Sequence, residues 1–293
     1  MTHVEDELNS QPECWTRAAD QAADHGGVLP AAGERVAVVG CGTSYFMAQA
    51  VAGLREAAGQ GETDAFAASE FPHGRRYDRV VALTRSGTTT EVLELLAGLR
   101  GRTRTTALTA DPDTPVMAAA DDVVVLEYAD ERSVVQTRFA TSALTLLRAH
   151  LGLHPDAAVT DARTALTEDL PQGLVECRQF TFLGRGWTVG LANEAALKMR
   201  EASLSWTEAY PAMEYRHGPI SITTDSTATW MFGEAPDGLA EQVRQTGGLW
   251  LAGRLDPLAE LVRAQRLAVA VAAARGLDPD RPRHLTRSVI LAS

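Results

Sequence analysis

Lysine is all but missing from this chain: of its 27 basic residues, 26 are arginine and one, Lys198, is lysine. An arginine-biased genome accounts for the 26. The exception marks a position to examine, because an ammonium can lose its proton near neutral pH when desolvated and a guanidinium cannot. Cysteine is scarce too. Cys14, Cys41 and Cys177 are far apart and odd in number, which excludes a disulfide framework and a zinc spacing and fits a reducing, cytoplasmic compartment. No apolar run approaches the ~20 residues that a membrane helix needs, and the acidic start, Thr2 to Glu7, has no apolar centre, so neither a membrane span nor a secretory signal is expected. Positive charge is in deficit, with 38 acidic residues against 27 basic and a formal net charge of −11. That makes a nucleic acid an unsuitable main partner while leaving room for a small anion held by local groups.

What is present is enough apolar material for a real core. The chain has 293 residues, 45% of them hydrophobic and 22% charged, a length that suggests two domains of roughly 150 residues. Arg35–Val39 reads as a buried strand ending in Gly40-Cys41-Gly42-Thr43-Ser44, after which Phe46, Ala50, Leu54 and Ala57 recur at helical spacing. The same grammar returns at Arg79–Leu83, followed by Thr84-Arg85-Ser86-Gly87-Thr88-Thr89-Thr90 and a helix from Glu91 to Leu99. Further strands are expected at 105–109 and 123–126, and a helix over 137–151. Strands alternating with helices imply an α/β fold with a parallel sheet covered on both faces.

Beyond His154-Pro155 the pattern restarts: strand at 180–183, loop Gly184-Arg185-Gly186-Trp187-Thr188, helix at 191–203, then strands near 227–232 and 249–252 and helices near 239–246 and 258–275. Gly40-Cys41-Gly42 falls over Gly184-Arg185-Gly186 at an offset of 144 residues. The expectation is two copies of one flavodoxin-like, three-layer unit, 1–157 with a short N-terminal arm and 158–293 with a C-terminal tail.

The first Gly-rich loop does not make a dinucleotide fingerprint, since Tyr45 stands where the third glycine belongs, and no Walker lysine follows either loop. The loops offer hydroxyls instead: Thr43 and Ser44 in one, Thr84, Ser86, Thr88, Thr89 and Thr90 in the other. Each precedes a helix, where free N–H groups and the helix dipole favour an anion. Ordinary capping by Ser and Thr is the plainer account of one such loop. Two at successive strand ends of one sheet favour a phosphate.

A second constellation lies on one helix. Glu194, Lys198 and Glu201 are spaced i, i+4 and i+7 on one face, and the neighbouring Ala192, Ala195, Ala196 and Leu197 are apolar. Surface pairs at this spacing merely stabilise helices by a few tenths of a kcal/mol; the same row in a cleft is equipment for moving protons to and from carbon and oxygen. Downstream, Glu208–Pro211 and Glu214–Pro219 read as a polar loop that presents His217 on a Gly-Pro turn.

Together, Gly40–Ser44, Ser86–Thr89, E-A-A-L-K-M-R-E over 194–201, His217-Gly218-Pro219 and the closing Asp280–Val289 resemble the sugar isomerase (SIS) family. They are most similar to the double-SIS isomerase half of glucosamine-6-phosphate synthase and to free-standing ketose/aldose isomerases and amino-sugar-phosphate deaminases. The resemblance runs from about residue 12 to the end. It implies that Ser44, Thr84, Ser86 and Thr89 hold a 6-phosphate, and that Cys41, Gly42, Thr43, Arg85, Gln136 and Arg287 complete the sugar-phosphate site. It also implies that Glu201 shuttles a proton between C1 and C2, assisted by Glu194 and Lys198. His217 would assist ring opening from the neighbouring subunit of a homodimer, and no metal or organic cofactor would be needed.

Three departures qualify the likeness. No glutaminase segment is present, so glutamine-dependent synthesis is not expected. Arg287 stands where the synthase has a Schiff-base lysine, and arginine cannot form that imine. Arg85 replaces an uncharged amide, and Gln136 a small hydroxyl. The expected function is aldose–ketose isomerisation of a sugar 6-phosphate, an amino sugar being favoured, with or without ammonia release. The alternatives are a sugar-phosphate deglycase and a sensor that binds without turnover.

Overall fold

The strands form where β-branched and apolar residues run on without a breaker, and their burial on both faces is what a sheet sandwiched by helices imposes. Val36, Ala37, Val38 and Val39 have essentially no exposure. A computed structural model describes residues 2–291. In chain order its elements are α1 (His3–Asn9), α2 (Gln11–Asp24), β1 (Val36–Gly40), α3 (Thr43–Ala57), β2 (Thr63–Ala67), β3 (Arg79–Leu83), α4 (Thr90–Leu99), β4 (Arg104–Thr109), α5 (Val116–Ala119), β5 (Asp122–Val125), α6 (Arg138–His150), α7 (Asp156–Thr167), β6 (Gln179–Gly184), α8 (Thr188–Ser203), β7 (Trp206–Pro211), β8 (Thr227–Met231), α9 (Leu239–Gln245), β9 (Leu249–Ala252) and α10 (Pro257–Ala274). Among the described residues, no helix is long and apolar enough to cross a membrane.

Two compact units divide these elements. One comprises Glu13–Pro155 with the residues from Leu285 onward, the other the residues up to Pro12 with Asp156–His284. In the first, five parallel strands stand in the order β2-β1-β3-β4-β5, the 2-1-3-4-5 order of a doubly wound sheet. Ala37, Val39, Val80, Ala82 and Ala107 pack against Val92, Leu95, Leu96 and Leu99 of α4. Val38 and Val81, alternating with them, face Val51 of α3 and Leu147 of α6. The chain therefore leaves β1 towards one face and β3 towards the other. The loops after these two neighbouring strands flank the switch point where open α/β sheets bind ligands.

The second unit repeats the opening of this plan, with parallel strands in the order β7-β6-β8-β9. Leu183 and Met231 pack against Leu239 and Val243 of α9. On the other face the Arg263 guanidinium of α10 lies over the Trp230 ring, whose centroid is 6.3 Å from that of Phe182. The 144-residue offset recurs in the backbone. Gly42 and Gly186 have φ of 55° and 54°. A Cβ on Gly40 would sit 2.6 Å from the carbonyl carbon of Ser44, and one on Gly184 would overlap the carbonyl of Thr188. In both units the strand end is pressed against the first turn of the following helix, which only glycine allows.

Several elements were not legible as such. β2 and β7 are edge strands of mixed polarity; residues 208–211, expected as loop, belong to β7. The polar stretch after Pro155 is α7, whose buried face is the small-residue set Ala158, Val159, Ala162 and Ala165. The ends also exchange units, which a single cut between 157 and 158 does not contain: the His3 and Val4 N–H groups donate to the Asp280 carboxylate at 2.8 Å each. The outer limits of the expected domains, Met1 and 292–293, lie outside the described residues.

Gly40→Ala is expected to lower stability by about 1–3 kcal/mol through overpacking. Gly98→Ala in α4, where nothing lies within 4 Å of the added carbon, is expected to raise it by about 0.5–1 kcal/mol. Urea unfolding midpoints check both, and equal midpoints would contradict the close-packing account of Gly40.

Candidate active site

The hydroxyls of the first unit are not helix caps. Helix α3 is N-capped by Gly42 and α4 by Thr89, and neither has a side-chain capping hydrogen bond. The second loop is ordered by its own hydroxyls: Ser86 Oγ accepts from the Thr88 N–H at 3.3 Å and from Thr88 Oγ1 at 3.1 Å. Thr43, Ser44, Thr84 and Ser86 are all buried. Thr84 Oγ1 and Gln136 Oε1 are buried with no hydrogen-bond partner, an expensive condition unless a ligand group completes it. Cys41 is half-buried; desolvation, with the Glu91 charge adding to it, pushes its thiol up, and the Ala68 backbone hydrogen bond opposes them. The thiol is therefore a poor nucleophile here.

Arg85 and Arg287 are both spent on protein groups. The Arg85 side chain is 1% exposed and pairs with Glu131, itself fully buried, at 3.4 Å. Glu131 in turn accepts from the Thr137 and Arg138 backbone N–H groups and from Thr137 Oγ1. Removing one member of such a pair costs about 3–5 kcal/mol, because the other charge stays buried. The Arg287 guanidinium pairs with Asp130 at 2.5 Å and donates to the Glu131 carbonyl.

In the other unit, helix α8 carries the charged row. Its remaining faces are buried through Leu191, Ala192, Ala195, Ala196 and Met199. The Lys198 and Glu194 side chains are each 1% exposed, with Nζ 3.5 Å from Glu194 Oε1, and Nζ is also hydrogen-bonded to Glu201 Oε2. Glu201, at 17%, is the member that keeps an opening to solvent. A solvated surface ion pair is thereby excluded. Arg200, on the same turn, donates to Thr207 Oγ1 of β7 at 2.9 Å; burial holds its pKa below the usual arginine value, against the raising charges of Glu201 and Glu194. An interior carboxylate–ammonium–carboxylate row with one reachable carboxylate can hold and pass a proton in a water-poor setting.

His217 ends the short 3-10 turn Glu214–His217 and is exposed, and no hydrogen bond or ion pair joins it to the row. The expected site residues thus form two groups. Cys41, Gly42, Thr43, Ser44, Thr84, Arg85, Ser86, Thr89, Gln136 and Arg287 lie in the first unit, and Glu194, Lys198, Glu201 and His217 in the second. Two residues beside the expected site were not among its candidates. Glu131 sits in a loop with no motif, and Ser288, whose Oγ is 3.0 Å from Thr88 Oγ1 and 3.3 Å from Thr89 Oγ1, is remote in sequence. Among the described residues, no group of three or more His, Cys, Asp or Glu is placed to hold a metal ion.

The chain is similar to known proteins over nearly its whole length. Residues 31–151 match the family model described as SIS domain. The chain is 27% identical to a glutamine–fructose-6-phosphate aminotransferase (isomerizing) of Xylella fastidiosa, over 98% of this chain and 58% of that protein; it spans a little over half the length of that relative. Glucosamine-6-phosphate deaminase from Thermotoga maritima superposes with a TM-score of 0.81 at 26% identity, covering 99% of this chain and 100% of that one. Tagatose-6-phosphate ketose/aldose isomerase from Escherichia coli gives 0.80 at 20% identity, over 100% and 96% of the two chains, a likeness of fold. Residues 31–151 thus match a SIS domain, and the chain is similar over nearly its whole length to part of a glutamine–fructose-6-phosphate aminotransferase.

Proposed function

We propose that the chain is a double-SIS phosphosugar isomerase, its second unit a further copy of the SIS plan, acting on an amino-sugar 6-phosphate with release of ammonia. The observation that carries this reading is the buried Glu194–Lys198–Glu201 row. A protein that only bound sugar phosphate would need the hydroxyl loops and not a desolvated proton relay. The shared backbone signature at Gly40 and Gly184 supports the tandem copy. The full-length similarity to a glucosamine-6-phosphate deaminase supports the amino-sugar branch.

In this reading Ser44, Thr84, Ser86 and Thr89 hold the phosphate, and Cys41, Gly42, Thr43 and Gln136 line the sugar. Glu201 takes the proton from C2 of the open-chain aldehyde while Lys198, 3.5 Å from Glu194, protonates O1, giving an enolamine. The Glu201 carboxyl returns its proton to C1 while an N–H proton of the enolamine goes back to Lys198, leaving a neutral imine at C2 and both side chains as they began. Water adds to that imine and ammonia departs, so the products are a ketose 6-phosphate and ammonia. With a hydroxyl at C2 the same proton transfers, the O2–H proton returning to Lys198 in place of the N–H proton, end at the ketose, and no water is consumed. No step calls for a metal, because the aldehyde already acidifies the neighbouring C–H. We place the enzyme in the cytoplasm as a homodimer, with His217 supplied across the interface to open the ring. The exposed Leu204, Trp206, Met213 and Ile222 of the second unit supply apolar surface for that contact.

The test is a panel of hexose and hexosamine 6-phosphates, followed for ketose and for ammonia. Ketose with ammonia from a hexosamine 6-phosphate is expected; binding without any conversion would overturn the assignment. Glu201→Gln is expected to lower kcat by about 10²–10⁴-fold, the usual worth of a general base, with affinity unchanged. Turnover equal to the wild type would remove Glu201 as the base. Ser86→Ala with Thr89→Val is expected to weaken sugar-phosphate binding by at least about tenfold, since a hydrogen bond to a charged group is worth about 1.5–3 kcal/mol. Unaltered affinity, read by calorimetry, would return these hydroxyls to ordering the loop.

A further inference from the structure

Where a buried guanidinium places its N–H donors shows what it holds; the terminal nitrogens of Arg85 have protein partners, while its buried Nε has none among the described residues. Arg85 leaves the end of β3 inside the hydroxyl loop. Its Nη1 donates to Glu131 Oε2 at 3.4 Å and to the Ser133 carbonyl at 3.1 Å; its Nη2 donates to the Val134 carbonyl at 3.3 Å and to the Arg287 carbonyl at 3.0 Å. Three segments distant in sequence thus converge on one side chain: the loop itself, residues 131–134 and the C-terminal segment. Arg287 answers in kind, its own guanidinium reaching Asp130 and the Glu131 carbonyl.

Apolar burial does not hold the C-terminal segment, because Val289, Ile290 and Leu291 are all exposed. Polar contacts remain. The Asp130–Arg287 pair is about one-third exposed at each partner, and solvent-screened pairs of that kind contribute little. The donation from the buried Arg85 side chain to the Arg287 carbonyl, part-buried and 3.0 Å long, is the firmer one. Immediately beyond it, Ser288 Oγ lies 3.0 Å from Thr88 Oγ1 and 3.3 Å from Thr89 Oγ1, the Thr90 N–H donates to the Val289 carbonyl at 3.2 Å, and the Leu291 N–H donates to Thr90 Oγ1 at 3.0 Å.

We propose that Arg85 is a positioning residue: it fastens residues 287–291 onto the hydroxyl loop and so makes the Ser288 hydroxyl a member of the anion cradle. The inference rests on the reading of that loop as the phosphate site. Arg85 acts through the tail, its two terminal nitrogens being fully engaged by protein acceptors. Its planar fork reaches four acceptors at once, more than the two donors of a neutral amide or the three of a single ammonium can serve.

Arg85→Lys tests this without stranding Glu131, since the charge opposite that carboxylate is kept. Hydrogen–deuterium exchange of the ligand-free protein is expected to accelerate at least about tenfold in residues 287–291 while the strands of the sheet keep their protection. Affinity for inorganic phosphate is expected to fall by about tenfold in Arg85→Lys and in Ser288→Ala, and KM for sugar phosphate to rise accordingly, with kcat within about threefold of wild type. Unchanged exchange in the tail would overturn the fastening role. A freed tail with unchanged phosphate affinity in both variants would overturn the membership of Ser288. Absence of phosphate binding by the wild type would sink the phosphate reading itself, and the exchange arm would still decide what Arg85 holds. Should Arg85→Lys fail to fold, Ser288→Ala, a change on the exposed tail, decides the cradle.

Discussion

An ammonium placed in a protein interior requires carboxylates to accompany it, since neither charge can leave water alone at tolerable cost. Lys198 between Glu194 and Glu201 meets this requirement within two turns of α8. The rest of the second unit is arranged so that the helix can be buried at all. Gly184 lets α8 start tight against the end of β6, the alanines of α8 let it pack closely against its neighbours, and Arg200 ties its last turn to β7. Glu201 alone of the three retains an opening, so the row has an inner, structural end and an outer end that can meet a substrate.

The first unit solves a different electrostatic problem. Its sheet reverses strand order at β1 and β3, which brings two hydroxyl-rich turns to neighbouring strand ends. The hydroxyls leave the helix ends uncapped, and Thr84 Oγ1 and Gln136 Oε1 remain buried without partners. The hydroxyls of such a surface are neutral groups that can donate, whereas the Gln136 oxygen can only accept, as from a sugar hydroxyl. The hydroxyls suit an anion in a chain whose net charge is −11, because the attraction is local and owes nothing to the overall field.

Much of this was written in the sequence. The i, i+4, i+7 spacing of Glu194, Lys198 and Glu201, made conspicuous by the single lysine, gave the row. Short strands ending in Gly-Cys-Gly-Thr-Ser and Thr-Arg-Ser-Gly-Thr-Thr gave the loops and the α/β class. What sequence could not supply was the environment. Arg85 and Arg287 read as groups available to a ligand, yet Glu131, Asp130 and a set of backbone carbonyls claim them, and acceptors of that sort carry no sequence signal. Edge strands β2 and β7 lacked an apolar run because one side of each is unpaired. Ser288 lies within the closing Asp280–Val289 motif, but its contacts with Thr88 and Thr89, about two hundred residues away, were not legible.

The central claim is that a carboxylate of the α8 row moves a proton at carbon. The direct measurement is proton NMR of the wild-type protein in heavy water with glucosamine 6-phosphate, watching the C1 and C2 positions as the reaction proceeds. Solvent deuterium is expected at a sugar carbon. Deuterium absent from both carbons of a sugar that demonstrably binds would contradict that claim and leave the row with a structural role alone.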